Sequence, residues 1–414
     1  MSEEARFTPV EPLNLEGLDT DQAVLRVISY AASLRASDLF LNTEEASGTI
    51  SLRHLGILKP VASVTRAEII RYINHIKAMA GMPLDQKMRP ADGRWVCTLE
   101  HGIKIDLRIN TIPTLWGEDM AIRLLECEAG LLHLENLGFH RRVLDDLLLL
   151  LSSPAGLFLV TGPAGAGKTT TLYACLHYLN DGTRKINTIE DPVELVLPGI
   201  RQSEVRPKID LDFPELLRSV LRQAPDVIMI GEIRDPVTAE TAVHAANSGH
   251  LVFATLHAPV AAGAINSLLA LGVNPHFLAA SMLGALSQRL VRRLCDQCKV
   301  AYELTGAPHT FEEVRRWLEP GQGEHIYSAK GCPACHFEGF VGRTGVGEII
   351  RVTREIRTLI FERRPLREIR QQAIRQGMLD LRRAALLKVA QGETSMEEVL
   401  RTIPAEHLLP EDTA

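Results

Sequence analysis

Short apolar runs separated by helical repeats dominate the middle of the chain. Between residues 138 and 290 the clearest runs are Leu157–Thr161, Val227–Ile230 and Leu251–Thr255, and the segments between them repeat with helical spacing. Apolar runs of this length are typical of strands buried on both faces, and their alternation with helices favours a parallel sheet. The pattern therefore predicts an α/β domain over residues 138–290.

The chain before this domain mixes helical and strand patterns. Residues 1–20 are polar and acidic, which predicts a flexible lead. Within residues 21–125, Ala23–Leu34 and Ala67–Gly81 have helical spacing, whereas Lys104–Asn110 alternates like a strand. We expect a separate N-terminal domain there and a linker over residues 126–137.

The chain after residue 290 divides into three predicted parts. A cysteine-bearing element occupies residues 291–350, a helical region rich in arginine occupies residues 351–406, and residues 407–414 form a tail. Of the seven cysteines, four fall in two CxxC pairs and three are scattered, which indicates a reducing compartment and a metal rather than a disulfide framework. A cytoplasmic location is expected.

Composition excludes several classes of protein. The 414 residues are 46% hydrophobic and 23% charged, which is typical of a globular chain of two to four domains. A net charge of −6 argues against binding nucleic acid or anionic membrane over the whole surface. The N-terminus lacks a secretory signal pattern, and Pro, Gly and Asn interrupt the uncharged stretches 147–167 and 251–288, so neither predicts a membrane span.

A phosphate-binding loop follows the first apolar run of the α/β domain. The segment GPAGAGKT fits the pattern GxxxxGK[ST], with a predicted strand before it and a helix after it. Glycines let backbone N–H groups turn toward phosphates, and the helix N-terminus adds partial positive charge. Lys168 would reach the β- and γ-phosphates, and Thr169 would bind Mg²⁺. The predicted nucleotide-binding residues are Gly162, Pro163, Ala164, Gly165, Ala166, Gly167, Lys168, Thr169 and Thr170.

Acidic residues and histidines cluster where other apolar runs end. Glu190 closes the run Ile186–Glu190 before Pro192, and Glu232 follows the run Val227–Ile230 and a glycine. Carboxylates at the ends of parallel strands face the ligand crevice, where a nucleotide hydrolase needs groups for Mg²⁺ and water. His250 and His257 bracket the third run, either as γ-phosphate sensors or as core and capping residues.

Four segments together resemble the secretion ATPase superfamily of type II secretion and type IV pilus assembly. They are the phosphate loop GPAGAGKTTTLYA, an aspartate box TIEDPVE, an atypical Walker B segment LRQAPDVIMIGEIRD and a histidine box SGHLVFATLHA. The pattern continues upstream in DLRINTIPTLWGEDMAIRLLE and downstream in ALSQRLVRRLCDQC and GCPACHFEGFVGRTGVGEII. The resemblance covers about residues 21–402.

The resemblance implies a fold, an activity and partners. The fold would be α/β, with a PAS-like N-terminal domain, a RecA-like P-loop domain with a zinc-binding insertion, and a helical C-terminal region. A homo-hexamer would hydrolyse ATP at the cytoplasmic face of the inner membrane and drive pseudopilus or pilus assembly. Its partners would be an inner-membrane platform protein and a cytoplasmic docking protein, with membrane association only through them and no nucleic acid bound.

Site roles also follow from the resemblance. Glu190 and Glu232 would position Mg²⁺ and the attacking water, with the general-base role undivided between them, and His250 and His257 would sense the γ-phosphate. Arg108 and Arg123 match family arginines that reach toward nucleotide from the N-terminal domain, and Arg94 is a weaker candidate. Surface salt bridges are the alternative interpretation for these arginines.

The sequence departs from the family pattern at three places. Phe40 stands where a histidine is expected, the segment Ser51–Gly56 lacks the family's Arg and Asp, and Ala258-Pro259 replaces Thr-Asn at the end of the histidine box. Longer members carry extra N-terminal docking domains, whereas only about 20 residues precede the PAS-like region here. The motor is expected to be intact, and its mode of recruitment stays open.

Two CxxC pairs predict a metal site. Cys295, Cys298, Cys332 and Cys335 can supply four thiolates in the tetrahedral arrangement that structural Zn²⁺ prefers. The 33 residues between the pairs imply an insertion. The resemblance agrees, because assembly ATPases carry this tetracysteine element and retraction ATPases generally lack it.

Two questions of function stay open at this stage. Residues 351–388 carry ten Arg and one Lys against four acidic residues, which fits a solvated helical face or, alternatively, a contact for an acidic partner loop or anionic lipid. A nucleic-acid-dependent P-loop motor with a zinc ribbon is the alternative function, although aromatic residues make up only 5% of the chain. A third hypothesis is that the protein is a ring subunit that binds nucleotide without hydrolysing it.

Overall fold

A computed structural model describes residues 13–99, 104–125, 132–304 and 309–408. The chain divides into two units, Met1–Cys127 with His336–Glu338, and Glu128–Cys335 with Gly339–Ala414. Much of the predicted lead, linker and tail lies outside the described residues. Within the described ranges, no helix is both long enough and apolar enough to cross a bilayer.

The first unit is one antiparallel sheet with two helices on one face. Its sheet order is β3-β2-β1-β6-β5-β4. Both helices begin with a capping box, in which Asp19 and Thr65 accept backbone N–H bonds at the N-termini of the two helices. The elements are α1 Thr20–Ser33, β1 Asp38–Thr43, β2 Ser47–His54, β3 Ile57–Thr65, α2 Arg66–Met79, β4 Ala91–Thr98, β5 Lys104–Thr114 and β6 Gly117–Leu125.

Alternation along the strands of the first unit separates an apolar face from a polar face. On β1, Leu39 and Leu41 are buried against the apolar sides of α1 and α2, whereas Asp38, Phe40 and Asn42 point the other way. The predicted strand Lys104–Asn110 is the first part of β5, and both predicted helices are present. The polar face carries the candidate arginines described below.

The second unit is built on a seven-stranded sheet covered by helices on both faces. Its sheet order is β15-β12-β7-β11-β10-β8-β9, parallel except for β15. The elements as far as the sheet's last parallel strand are α3 Arg141–Leu151, β7 Gly156–Thr161, α4 Lys168–Leu179, β8 Ile186–Glu190, β9 Arg201–Glu204, α5 Phe213–Leu221, β10 Val227–Ile230, α6 Pro236–Asn247, β11 Leu251–Leu256, α7 Gly263–Ala270, α8 Pro275–Ser281 and β12 Met282–Leu294. The rest are β13 Val300–Glu303, β14 His325–Ser328, β15 Phe340–Arg351, α9 Arg354–Phe361, α10 Leu366–Arg375, α11 Leu381–Ala390 and α12 Met396–Thr402.

Neighbouring residues of the central strands enter two different cores. Phe158 and Phe253 pack with α3, α4 and α11 on one face, whereas Leu157 and Val252 pack with α6 and α8 on the other. This arrangement is why the strands have the continuous apolar sequences that predicted a doubly covered parallel sheet.

The main sheet extends beyond the domain boundary expected at residue 290. Strand β12 continues to Leu294 and pairs with β15 over nearly its whole length. At this end Val291 and Leu294 are buried, while Arg292 and Arg293 between them are more exposed, and the pairing register shifts between Arg292 and Leu294. The cysteine-bearing insertion therefore lies between two strands of the sheet, and a small hairpin, β13 with β14, forms within it.

Candidate active site at the carboxyl edge of the parallel sheet

Four parallel strands deliver the predicted catalytic segments to one edge of the sheet. Thr161 of β7 is level with Leu256 of β11, and Ile230 of β10 lies between Ala254 of β11 and Ile189 of β8. The phosphate loop, the histidine-box loop and the two acidic segments begin where these strands end. The structure thus places together the phosphate loop, Glu190, Glu232 and His257.

The phosphate loop folds tightly against strand β12. Gly162 has φ +147°, and a Cβ at this position would lie 2.6 Å from the carbonyl oxygen of Gln288. Gly167, in the left-handed conformation at φ 83°, caps α4 without a side-chain hydrogen bond. The first N–H groups of α4 therefore stay directed at the place where phosphate oxygens bind. Thr169 and Thr170 lie in this turn and are half-buried.

Lys168 lies across its own loop. Its Nζ donates to the carbonyl oxygens of Gly162 at 2.9 Å and Pro163 at 3.1 Å. Burial lowers the pKa of this lysine, and the positive charge of Arg289 adds to that effect, while the Glu232 carboxylate opposes it. A lysine held beside a phosphate loop in this way can exchange carbonyl oxygens for phosphate oxygens when a nucleotide enters.

Glu232 is the accessible carboxylate of the site. Its side chain is 18% exposed, and its two oxygens contact His257 Nε2 at 2.9 Å and an Arg234 Nη at 2.6 Å. Burial raises the pKa of Glu232, but Arg234, His257 and Lys168 outweigh it and hold the pKa below its ordinary value. The group is therefore an ionised acceptor that faces the phosphate loop.

Glu190, the other predicted carboxylate, is 3% exposed and fully engaged. One oxygen accepts a hydrogen bond from the Tyr173 hydroxyl, and the other accepts from the Thr188 hydroxyl and from Gln202 Nε2. The phenolic oxygen of Tyr173 in turn accepts the backbone N–H groups of Glu194 and Leu195. The aspartate box is thereby anchored to the helix that follows the phosphate loop.

The structure separates the two candidate histidines. His257, 56% exposed, joins Glu232 at the carboxyl edge. His250 precedes β11, where its backbone carbonyl accepts the N–H of Gly156 and its Nδ1 contacts the carbonyl of Ala245 at the end of α6. Six strand residues, roughly 20 Å, separate it from the edge that carries the phosphate loop of the same chain. Its position is that of a capping residue, the second interpretation offered by the sequence.

A polar stretch inside β12 connects the two loops of the site. Gln288 donates from Nε2 to the Ala166 carbonyl and accepts from the Thr171 hydroxyl. Ser287 and Arg289 donate to the Pro259 carbonyl in the histidine-box loop. All three β12 side chains are buried. Sequence reasoning did not select them, although three adjacent polar residues within an otherwise apolar run were a usable signal.

The candidate arginines lie in one row on the polar face of the first unit. Backbone pairing aligns Arg53, Asp38, Arg123, Arg108 and Arg94 in that order across five adjacent strands. Paired residues in an antiparallel sheet share a face, so the row is a cationic strip interrupted by one aspartate.

Ion pairs within the unit engage Arg53, which lies 3.6 Å from Asp38, as well as Arg123 and Arg94. Arg123 Nε lies 3.2 Å from Asp38, and Arg94 lies 2.6 Å from Asp106. Arg123 and Arg94 are still 66% and 68% exposed, so each guanidinium also faces solvent. The salt bridges offered as the alternative interpretation are present for both residues.

Four cysteine sulfurs lie together as a tetrahedral metal site requires. All four Sγ atoms of Cys295, Cys298, Cys332 and Cys335 lie within 4.8 Å of one another. The separations of 3.8–3.9 Å between neighbouring sulfurs are near the ~3.8 Å edge of a tetrahedron with Zn–S bonds of about 2.3 Å, and far from a disulfide bond. Burial raises the pKa of the Cys335 thiol, but the N–H groups of Cys332 and Gly339 and the neighbouring thiols lower it to about 7. The donor set fits Zn²⁺.

Comparisons with known proteins show the family of the chain. The family model described as "Type II/IV secretion system protein" matches residues 19–401. The chain is 42% identical over 386 residues to the type II secretion system protein HxcR of Pseudomonas aeruginosa, covering 93% of this chain and 78% of that protein. It is 40% identical over 393 residues to the type IV pilus assembly ATPase PilB of Thermus thermophilus, covering 95% of this chain and 44% of that protein.

A solved structure shares the fold. The Legionella pneumophila ATPase DotB superposes with a TM-score of 0.67 at 21% identity, covering 96% of each chain. The predicted α/β fold class, with its RecA-like motor domain, is confirmed at this level. The match over residues 19–401 and the intact phosphate loop show that the chain belongs to the type II/IV secretion system protein family, the secretion ATPases that its four sequence boxes resemble.

Proposed function

We propose that this protein is a homo-hexameric ATPase that works at the cytoplasmic face of the inner membrane. It drives assembly of a type II secretion pseudopilus or a type IV pilus through an inner-membrane platform protein and a cytoplasmic docking protein. The observation that carries the proposal is the convergence of Lys168, Glu232 and His257 at one edge of a parallel sheet, directly beside the first turn of α4. Family membership supports it.

Within this site the phosphates bind at the loop Gly162–Thr170. Lys168 leaves its two carbonyl contacts and pairs with the β- and γ-phosphates. The Thr169 hydroxyl, which lies in the first turn of α4, is an oxygen ligand of the kind that Mg²⁺ prefers. When bound, Mg²⁺ neutralises charge on the phosphates.

The different surroundings of the two glutamates divide their roles. Glu190 is closed off by three donors, so it can accept a proton only after losing one of them. Glu232 is partly exposed and lies close enough to Lys168 for their charges to interact. We therefore assign orientation and deprotonation of the attacking water to Glu232, and ordering of the aspartate box to Glu190.

His257 and the arginines complete the proposal. His257 contacts Glu232 and would report the presence of the γ-phosphate beside it. Arg108 and Arg123 of the cationic row would stabilise transition-state charge, the role that the family resemblance gives them. The four-cysteine cluster would hold structural Zn²⁺ in the insertion between β12 and β15.

The arginine-rich C-terminal region adds little independent evidence for a partner. Many of its cations already have partners within the second unit: Arg351 with Asp146, Arg382 with Glu313, and Lys388 with Glu393. These contacts favour the interpretation of a packed and solvated helical region over a lipid or partner contact.

The deciding experiment is ATPase rate against protein concentration, with mass measured by light scattering in the same samples. Turnover that rises together with a species of about six subunits, and that Lys168→Ala abolishes without unfolding, supports the motor. A monomer that hydrolyses ATP only after DNA is added would favour the nucleic-acid-dependent alternative. A hexamer that binds ATP without turnover, with platform protein present, would refute the assignment of hydrolysis.

A further inference from the structure

Glu348 is a completely buried carboxylate that the proposed mechanism does not use. It lies near the end of β15 with 0% of its surface exposed. One oxygen accepts the backbone N–H of Ala261 at 2.7 Å, and the other accepts the backbone N–H of Leu381 at 2.9 Å. A buried carboxylate is costly unless such donors compensate it, so its presence calls for an explanation.

The first of these contacts fixes the loop that carries His257. This loop leads from the end of β11 into α7. Its backbone N–H and carbonyl groups form hydrogen bonds, one after another along the chain, with buried side chains. The Thr161 hydroxyl pairs with both the N–H and the carbonyl of Ala258, and Ser287 and Arg289 hold the carbonyl of Pro259. Glu348 holds the next anchored N–H, that of Ala261.

The second contact fixes the beginning of α11. Leu381 is the first residue of this helix, and Asp380 caps it by accepting the N–H of Arg383. A carboxylate at a helix N-terminus is favoured by the helix dipole. Through its two oxygens Glu348 joins the His257 loop to the C-terminal helices, two parts of the chain that are 120 residues apart in sequence (381 − 261).

Charged groups of both signs surround the buried carboxyl group of Glu348. Burial raises the pKa of Glu348 above its ordinary value and the nearby Asp380 adds to the rise, whereas Arg370 and the two N–H donors offset only part of it. Arg289, which holds the same loop at Pro259, also lies within the field of the Glu348 charge. The loop is thus held at Pro259 and Ala261 by two buried side chains, Arg289 and Glu348, that interact electrostatically.

We propose that Glu348 is a positioning residue for ATP hydrolysis, which keeps His257 in contact with Glu232 by anchoring the His257 loop to β15 and α11. The inference rests on the proposed ATPase function. Without the carboxylate, the buried N–H of Ala261 loses its acceptor, and the loop must move to find another. His257 is only four residues before Ala261, so its 2.9 Å contact with Glu232 moves with the loop.

The test is Glu348→Gln in the full-length protein, with Glu355→Gln as the matched control. Glutamine keeps the shape but replaces one acceptor with a donor that faces a backbone N–H. Glu355 lies seven residues later on α9 and is exposed, and its carboxylate accepts hydrogen bonds from Thr353 and Gln376 rather than from the His257 loop or α11. We expect kcat to fall roughly 10- to 100-fold with KM for ATP within about twofold, because a reacting group is displaced while the phosphate loop is intact.

Hydrogen exchange separates positioning from general damage. Faster exchange confined to the segments around Ala261 and Leu381, with a single cooperative melting transition kept, supports the proposal. A kcat within twofold of wild type, or faster exchange throughout the second unit, would overturn it. If Glu348→Gln does not fold, Glu348→Asp, which keeps the charge but cannot reach both donors, decides by the same criteria. No turnover by wild type would overturn the proposed function together with this inference, whereas an active wild type beside an unimpaired variant would overturn this inference alone.

Discussion

The hydroxyl of Tyr173 offers a direct way to distinguish the roles of the two glutamates. Tyr173→Phe keeps the buried ring and removes the donor to one oxygen of Glu190, while Thr188 and Gln202 still hold the other oxygen. The change also leaves the backbone N–H groups of Glu194 and Leu195 without the phenolic oxygen that accepts them. The lost hydrogen bond to the Glu190 carboxyl group alone contributes about 1.5–3 kcal/mol. Over a domain of this size that corresponds to a fall in melting temperature of roughly 4–10 °C.

The expected effect of Tyr173→Phe on catalysis is small. If Glu232 is the base, kcat falls less than about tenfold, whereas Glu232→Gln lowers it by about 10²–10⁴. Tyr178→Phe is the matched control, because Tyr178 lies on the same helix with 55% of its surface exposed. Single-turnover ATP hydrolysis and calorimetric melting of the three variants provide the measurements. A loss of kcat in Tyr173→Phe as large as that in Glu232→Gln, with an unchanged melting temperature, would refute the assignment and make Glu190 the base.

Two further predictions test the metal and the arginine row. Cys332→Ser should reduce bound zinc from about one per chain to near zero by elemental analysis and lower the melting temperature, because one of four thiolates is lost. The control variant Cys97→Ala should keep its zinc. Wild-type protein purified without zinc would refute the zinc assignment. Arg123→Ala should lower kcat by up to about 10³-fold with little change in nucleotide affinity, since Arg123 acts on transition-state charge. Arg53→Ala in the same row is the control and should leave kcat unchanged. A pure loss of affinity would make Arg123 a ground-state contact.

The second unit's fold was predictable because its strands are buried on both faces. The run Val227–Ile230 coincides with β10, and Leu157–Thr161 and Leu251–Thr255 differ from β7 and β11 by one residue each. A buried parallel strand has an uninterrupted apolar signal, and its carboxyl end directs the following residues to a shared edge. The site loops were predictable from this one rule.

The first unit's sheet was mostly hidden from the sequence. The described part of the unit has six strands, and only one was identified, because strands such as β1 and β5 have one more exposed face and alternate polar with apolar residues. The row formed by Arg94, Arg108 and Arg123 requires the strand order and the register, which no local pattern contains. Its alignment is a property of the fold.

Long-range polar contacts also could not be predicted from the spacing of residues in the sequence. Tyr173 and Glu190, or Gln288 and Ala166, meet only because the helix and strands between them are packed. His250 shows the converse: its spacing from His257 suggested a shared role, but a six-residue strand places them at opposite edges of the sheet. The separation of two residues in sequence therefore carries no information about a common ligand when a strand lies between them.

The two glutamates illustrate how structure separates what sequence leaves symmetric. Both follow apolar strands, both precede a turn, and β8 and β10 are neighbours in the sheet. The Glu190 side chain is nevertheless enclosed by side chains from α4, β8 and β9, whereas Glu232 contacts the exposed side chains of Arg234 and His257 and is itself partly exposed. A group that must take a proton from water during each cycle needs an open lone pair, and a group that must hold a loop needs its lone pairs filled. Glu232 meets the first requirement and Glu190 the second, and Tyr173 is the residue at which this division can be measured.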